Sequence, residues 1–296
     1  MDFGHIKIIS NEARDPGFEY AKEIEFFLRE RGFSPEIVRT GEGVSSALFC
    51  VRMESEPGFE RTGTPEDVPS VSAAGRARFV IVLGGDGTML QAAHYAAVLD
   101  VPMLGINLGN LGFLTDADKF HGITALEKVL AGNFSREKRI MLEAEFGAGE
   151  IIPIEKRLAL NEFYIGEMGR LTDCSVYVNE QFTATIRADG IIVSTPTGST
   201  AYNLSAGGPI LMPDGQMIAI TPVCPHSLSA RPWVIGADDT VRIVAKKTAH
   251  VIVDGETAGR IPAGESVLIK IAPFAATILR TAQPNFYATL RKKKLL

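Results

Sequence analysis

Phe79-Val80-Ile81-Val82-Leu83-Gly84-Gly85-Asp86-Gly87-Thr88-Met89-Leu90 decides how the first part of this chain folds. Its first five residues are large and apolar without alternation, the pattern of a strand covered on both faces. Three glycines then surround one aspartate, and Ala92, Ala93, Ala96, Ala97 and Leu99 continue at helical spacing. Strand, glycine turn and helix start gather backbone N–H groups at the positive end of a helix dipole, a setting that suits phosphate. Asp86 falls at the carboxyl end of the strand, where open α/β sheets keep their ligand crevice. A carboxylate is an odd choice beside polyanions unless it accepts a proton or helps to hold a metal ion. The plainer reading is a tight turn in which Gly84, Gly85 and Gly87 take positive φ and Asp86 caps the helix.

Outward from this stretch, His5–Ser10 reads as a first strand, followed by a helix from Phe18 to Arg31 that Gly32 stops. Ser34–Val38 is a short second strand, and Pro102–Ile106 a further buried one. Residues 40–75, rich in Gly, Pro, Ser and Glu, read as a mobile connection. The alternation predicts a Rossmann-like parallel sheet of about four or five strands. The run Asn107–Thr115 mixes Gly and Asn, as an irregular loop at a strand end does; Asn107 either offers its amide to a ligand or serves the turn. Ile123, Leu126, Val129 and Leu130 mark a helix that ends at Gly132.

Past Lys138 the period becomes strand-like. Ile140–Phe146, Arg157–Ile165, Cys174–Val178, Phe182–Arg187, Gly190–Ser194 and Gln216–Thr221 are short β segments, and Thr240–Ala245, His250–Val253, Ser266–Ile271 and Thr277–Arg280 continue the series. So many strands with a single helical insertion predict an all-β sandwich.

Three features interrupt it. Asn161-Glu162 breaks an apolar strand: either a bulge or strand end aims both side chains at a ligand, or the pair lies on a wet edge. Between Arg187 and Gly208, Pro196 ends a strand, and Thr197 or Ser199 is placed to cap a short helix closed by Gly207-Gly208. The hydroxyl side chains between Ser194 and Thr200 exceed what capping needs, and Tyr202 offers a flat ring for a base; the alternative is a well-capped insertion. Asp254-Gly255-Glu256 reads as a hairpin turn.

A chain of 296 residues leads to an expectation of two domains. The net charge of -5 argues against a nucleic-acid surface, and Arg291-Lys292-Lys293-Lys294 reads as a solvated terminus. Cys50, Cys174 and Cys224 lie far apart without C-x-x-C spacing, which fits a reducing cytosol rather than a disulfide framework or zinc site. No leader pattern or long apolar stretch is evident, so the expectation is a cytoplasmic protein that neither crosses nor binds a membrane.

The turn at Gly84 matches neither the Walker A pattern nor G-x-G-x-x-G; it matches the GGDGT signature shared by NAD kinases and diacylglycerol-type lipid kinases. With Asn161-Glu162, Ala188-Asp189-Gly190 and Thr195-Pro196-Thr197-Gly198-Ser199-Thr200-Ala201-Tyr202-Asn203-Leu204-Ser205-Ala206-Gly207-Gly208, the chain resembles the bacterial NAD kinase family. The resemblance implies transfer of the γ-phosphate of ATP to the 2′-hydroxyl of the adenosine ribose of NAD, with Mg²⁺ or another divalent metal. It implies that Asp86 is the general base, with Gly84, Gly85, Gly87, Thr88 and Asn107 around it. Asn161 and Glu162 would touch ribose hydroxyls, Arg187 and Asp189 the nicotinamide half, and Thr200, Ala201, Tyr202 and Ser205 the adenine end. Glu256 stands where many bacterial relatives carry glutamine. The implied architecture is an α/β domain over residues 1–118, joined by a returning tail 281–296, and a β-sandwich over 119–280 that binds NAD and builds a homodimer or homotetramer. A lipid kinase or a non-catalytic NAD-binding regulator would each account for one part of this pattern.

Overall fold

The computed structural model describes residues 5–40, 79–109, 112–146 and 158–295. The expected connection lies outside them from residue 41 onward, as do Asn110 and Leu111. The chain divides into Met1–Glu137 with Thr277–Leu296, and Lys138–Ala276.

In the first unit, His5–Asn11 (β1) pairs in parallel with Ser34–Thr40 (β2) and with Val80–Gly84 (β3). Met103–Asn107 (β4) pairs in parallel with β3 and, through Ile106, with the short strand Ala117–Asp118 (β5). Every residue of β3 and β4 is buried, as their unbroken apolar runs require. Helices cover both faces of this sheet. Glu19–Arg29 (α1) and Gly122–Leu130 (α3) send Ile24, Leu28, Leu126 and Val129 into a core with Ile6, Ile8, Ile81, Leu83, Leu104 and Ile106. Asp86–Val98 (α2) packs on β1, β3 and β4, its Met89 sulfur where a side chain on Gly105 would have to go. Because α3 seals this core, the unit extends beyond α3, whereas the sequence suggested a boundary before it.

In the second unit, Ser135–Phe146 (β6) pairs antiparallel with Leu158–Ala159 (β7). The expected strand 157–165 is therefore two: β7, a break at Leu160 and Asn161, then Glu162–Gly166 (β8). Thr172–Val178 (β9), Gln181–Ala188 (β10), Gly190–Ser194 (β11), the single helical turn Tyr202–Ser205 (α4), Met217–Val223 (β12) and Trp233–Gly236 (β13) follow. Val241–Ala245 (β14), Ala249–Val253 (β15), Glu256–Ile261 (β16) and Ser266–Arg280 (β17) complete the strands. Strand β17 gives its first part to this unit; at its end Ile278 pairs in parallel with Met103 of the first.

One sheet of the second unit runs β13-β12-β11-β8-β15-β16, antiparallel throughout. The other brings β10, β9, β14 and β17 side by side. Phe163, Ile165, Ile191, Val193, Ile218, Ile220, Val251 and Val253 from the first face Cys174, Val176, Val241, Ile243, Val267 and Ile269 from the second. That is the sandwich expected from the strand count. By alternation, Glu162, Tyr164, Ile192, Ser194, Thr221 and Ile252 point away from this core, to the outer face of the first sheet. Residues 195–211 cover that face: Tyr202 packs on Tyr164, and Thr221 donates to Asn203 Oδ1 at 2.6 Å.

Candidate active site

In the first unit, the helix α2 begins at Asp86 after Gly85, whose φ of -130° is extended. Gly84, Gly85 and Gly87 are all absent from the positive-φ residues, so their use is not conformational. A side chain on Gly84 would overlap Thr88, which closes the turn, whereas Gly85 and Gly87 have nothing within 4 Å of where a Cβ would stand. That open space lies over the helix start. The first helical hydrogen bonds run from Thr88 and Met89 N–H to the Gly85 carbonyl, so the N–H groups before them point out of the helix.

Asp86 does not cap this helix. Its Oδ2 accepts from Phe113 N–H and its Oδ1 from Leu114 N–H, both at 3.0 Å. Gly112 is required beside it, since a Cβ there would collide with the carboxylate. Each carboxylate oxygen keeps a further lone pair for an incoming hydroxyl. Lys293 Nζ stands 3.6 Å from Oδ2. Asn107 is buried and braces the same loop, accepting from Gly109 N–H at 2.7 Å and donating to Thr115 at 3.3 Å. Its amide thus serves the turn, the structural alternative the sequence offered.

In the second unit, Asn161 lies in the break and Glu162 is buried on the outer face. The break is held by Asp254, whose carboxylate accepts from the N–H groups of Leu160, Asn161 and Glu162 at 2.8, 2.8 and 3.0 Å. Asp254 and Gly255 both have positive φ (49° and 88°), so the hairpin turn is present, and its first residue has a long-range task besides. Glu162 Oε2 has no hydrogen-bond partner among the described residues. Burial, and then the neighbouring Asp254 charge, push the Glu162 carboxyl up to about 8. A buried orphan oxygen in a native site calls for a ligand or a proton.

The hydroxyls of residues 194–200 bond within the protein. Thr195 donates to the Leu160 carbonyl at 2.6 Å and accepts from Gly198 N–H at 3.0 Å. Ser199 donates to the Pro196 carbonyl at 2.6 Å and accepts from Leu211 N–H at 3.0 Å. Thr197 accepts from buried Arg139 at 3.2 Å, and Thr200 donates to the Thr197 carbonyl. Neither the Thr197 nor the Ser199 hydroxyl caps a helix; Thr197 ties the loop to Arg139 of β6, and Ser199 closes the loop on itself. Gly198 lies against the Asn161 backbone so closely that no Cβ would fit. The loop and the break are therefore locked together.

Tyr202 is half-buried, its ring 5.9 Å from that of Tyr164, with Ala201 half-buried before it and Ser205 exposed. The main chain of Asp189 is pinned by Tyr164 and Val223, and its half-buried carboxylate has no hydrogen-bond partner among the described residues. Arg187 and Glu256 are exposed. Among the described residues no group of three or more His, Cys, Asp or Glu could hold a metal ion.

The two units match two family models: residues 6–134 the ATP-NAD kinase N-terminal domain, and residues 160–281 the ATP-NAD kinase C-terminal domain. The chain belongs to the NAD kinase family. It is a family of phosphotransferases. The NAD kinase of Lachnospira eligens is 35% identical, over 97% of this chain and 98% of its own. That of Azoarcus sp. is 38% identical, over 90% of this chain and 87% of its own. Among solved structures, yeast NADH kinase complexed with NADH aligns at a TM-score of 0.77 over 99% of this chain and 87% of its own, with 22% identity. An NAD kinase from Archaeoglobus fulgidus in complex with ATP aligns at 0.71 over 97% and 98%, also with 22% identity. Both carry the same fold.

Within this member of the NAD kinase family, sequence reading missed Phe113 and Leu114, whose contribution is main-chain N–H and leaves no side-chain signal. It also missed Asp254, whose partners lie 92 to 94 residues away.

Proposed function

We propose that this protein transfers the γ-phosphate of ATP to the 2′-hydroxyl of the adenosine ribose of NAD, giving NADP. The observation that carries the reading is Asp86: a carboxylate aimed by two backbone N–H groups, beside a helix start with open space over Gly85 and Gly87. A ribose hydroxyl ionises far above neutral pH, so a carboxylate placed to take its proton speeds its attack. The N–H groups at the start of α2 favour the anionic phosphates.

Glu162 supports the same reading from the second unit. With its carboxyl raised to about 8 it is mostly protonated at neutral pH, and can both donate to and accept from a ribose hydroxyl. Asn161 beside it, the half-buried carboxylate of Asp189 for a carboxamide, and the ring of Tyr202 for a purine supply the remaining contacts.

Magnesium commonly binds through one or two carboxylates with substrate phosphates and keeps several waters. A metal arriving with ATP therefore needs no three-residue protein cluster, and Asp86 stands at the helix start over which the phosphates would lie. When bound, the ion neutralises charge on the transferred group. No helix among the described residues is long and apolar enough to cross a membrane. We keep a cytosolic homodimer or homotetramer as the expected state, which light scattering would test.

The deciding assay incubates the protein with NAD, ATP and Mg²⁺ and follows NADP with an NADP-specific dehydrogenase. ATP-dependent NADP formation is the expected result. A folded protein that binds NAD but makes no NADP would contradict it.

A further inference from the structure

The basic run Arg291–Lys294 reads in the sequence as a solvated terminus, yet Lys293 is placed against Asp86. The helix that delivers it, Phe286–Lys292 (α5), belongs to the same unit and is anchored without it. Leu290 is buried, the Phe286 ring lies 5.7 Å from that of Phe113, and Asn285 caps the helix by accepting from Ala288 N–H at 2.8 Å. Lys293 then reaches over the Phe113 ring, 4.9 Å from its centroid, to end 3.6 Å from Asp86 Oδ2.

The same C-terminal segment grips Asp86 indirectly. Arg280 is buried, pairs with Glu137, and donates to the carbonyls of Phe113 and Thr115 at 3.1 and 2.8 Å. Residues 113–115 thus offer carbonyls to Arg280 while Phe113 and Leu114 offer N–H groups to Asp86. The N–H pair holds the carboxylate against the loop, and the ammonium approaches Oδ2, the oxygen that also accepts from Phe113 N–H.

Electrostatics give that third contact a purpose. A carboxylate repels an arriving triphosphate, and this chain has no P-loop lysine to offset the repulsion. An ammonium 3.6 Å from the carboxylate balances its charge locally. Both groups are partly exposed, 37% for Lys293 and 29% for Asp86, so the pair adds little to fold stability. Its effect would be seen in catalysis.

We propose that Lys293 is a positioning residue for Asp86, holding the carboxylate in its reactive direction and balancing its charge as the phosphate donor arrives. This rests on the reading of Asp86 as general base. The test is a double-mutant cycle with kcat, the KM for NAD and Tm measured for wild type, Lys293→Met, Lys293→Arg, Asp86→Asn and the Asp86→Asn/Lys293→Met double variant. Lys293→Met should lower kcat about 10- to 100-fold, the scale of a misplaced reacting group. The KM for NAD and Tm should hardly move, and Lys293→Arg should recover most of the rate. In the Asp86→Asn background, Lys293→Met should cost nothing further, since groups acting as a unit are not additive. Full activity of Lys293→Met, or an equal loss in both backgrounds, would overturn the proposal while leaving Asp86 as base. A wild-type rate for Asp86→Asn would instead remove the base assignment and the proposal with it.

Discussion

Asp86 in the first unit and Glu162 in the second are both acids at strand ends, yet their surroundings differ in kind. Asp86 is half-buried, and both its oxygens meet donors: Phe113 N–H, Leu114 N–H and the Lys293 ammonium. Glu162 is buried, with one oxygen that has no partner among the described residues and a carboxylate, Asp254, as neighbour. The first setting holds a carboxylate in place with donors on both oxygens; the second favours a neutral acid that can give a hydrogen bond. The character of each acid is thus set less by residue type than by which backbone N–H groups it receives. Asp254 takes the three N–H groups beside Glu162, and so excludes Glu162 from the kind of support Asp86 enjoys.

The largest break in this contrast comes from crowding Asp86 without changing it. Gly112→Ala puts a methyl where the carboxylate stands, so the acid must turn away from its two N–H donors. A displacement of that kind costs about 10²-fold in kcat, with NAD affinity retained. Steady-state kinetics with an NAD titration would show it; an unaltered kcat would mean that the carboxylate's direction is immaterial.

On the side of the second unit, Tyr202→Ala should weaken NAD by about 1–3 kcal/mol, the range for a base stacked on an aromatic ring. Tyr202→Phe should retain most of the affinity, because the ring and its contact with Tyr164 survive. Calorimetric titration separates the two, and equal binding by the alanine variant and wild type would dismiss the stacking role.

The subtlest test reads Glu162 through stability. An acid whose native pKa is raised holds its proton more tightly when folded, so native protein binds more protons than unfolded between about 4.5 and about 8. Stability therefore falls as pH rises through that window and is level above it. Glu162→Gln cannot ionise and should flatten this fall, leaving the variant more stable than wild type at pH ~9 by at most a few kcal/mol. Urea unfolding at pH ~5 and ~9 measures the difference. Parallel pH profiles would show that Glu162 is not held neutral.

Much of this was legible in the residues, and what was not has a physical reason. The unalternating run Phe79–Leu83 marks a strand buried on both sides, and the short alternating segments after Lys138 mark a sandwich, because burial leaves a periodic trace. Turn chemistry is legible too, as Asp254-Gly255 shows. Partners are not: a hydroxyl that stitches a loop, such as Thr195 or Ser199, looks in sequence like one offered to a ligand. Lys293 among Arg291–Lys294 looks like any solvated charge, because nothing local records an acid that sits 207 residues earlier in the chain (293 minus 86).

The central claim is that Asp86 takes the proton, and Asp86→Asn tests it most directly. Asparagine keeps the shape and one carbonyl oxygen for the loop N–H groups but cannot act as the base. Turnover of NAD to NADP at saturating ATP and Mg²⁺ should fall by about 10²–10⁴ while the NAD dissociation constant and Tm stay near wild type. A near-wild-type rate would contradict the account and leave Asp86 as an anchor for the loop at Phe113 and Leu114.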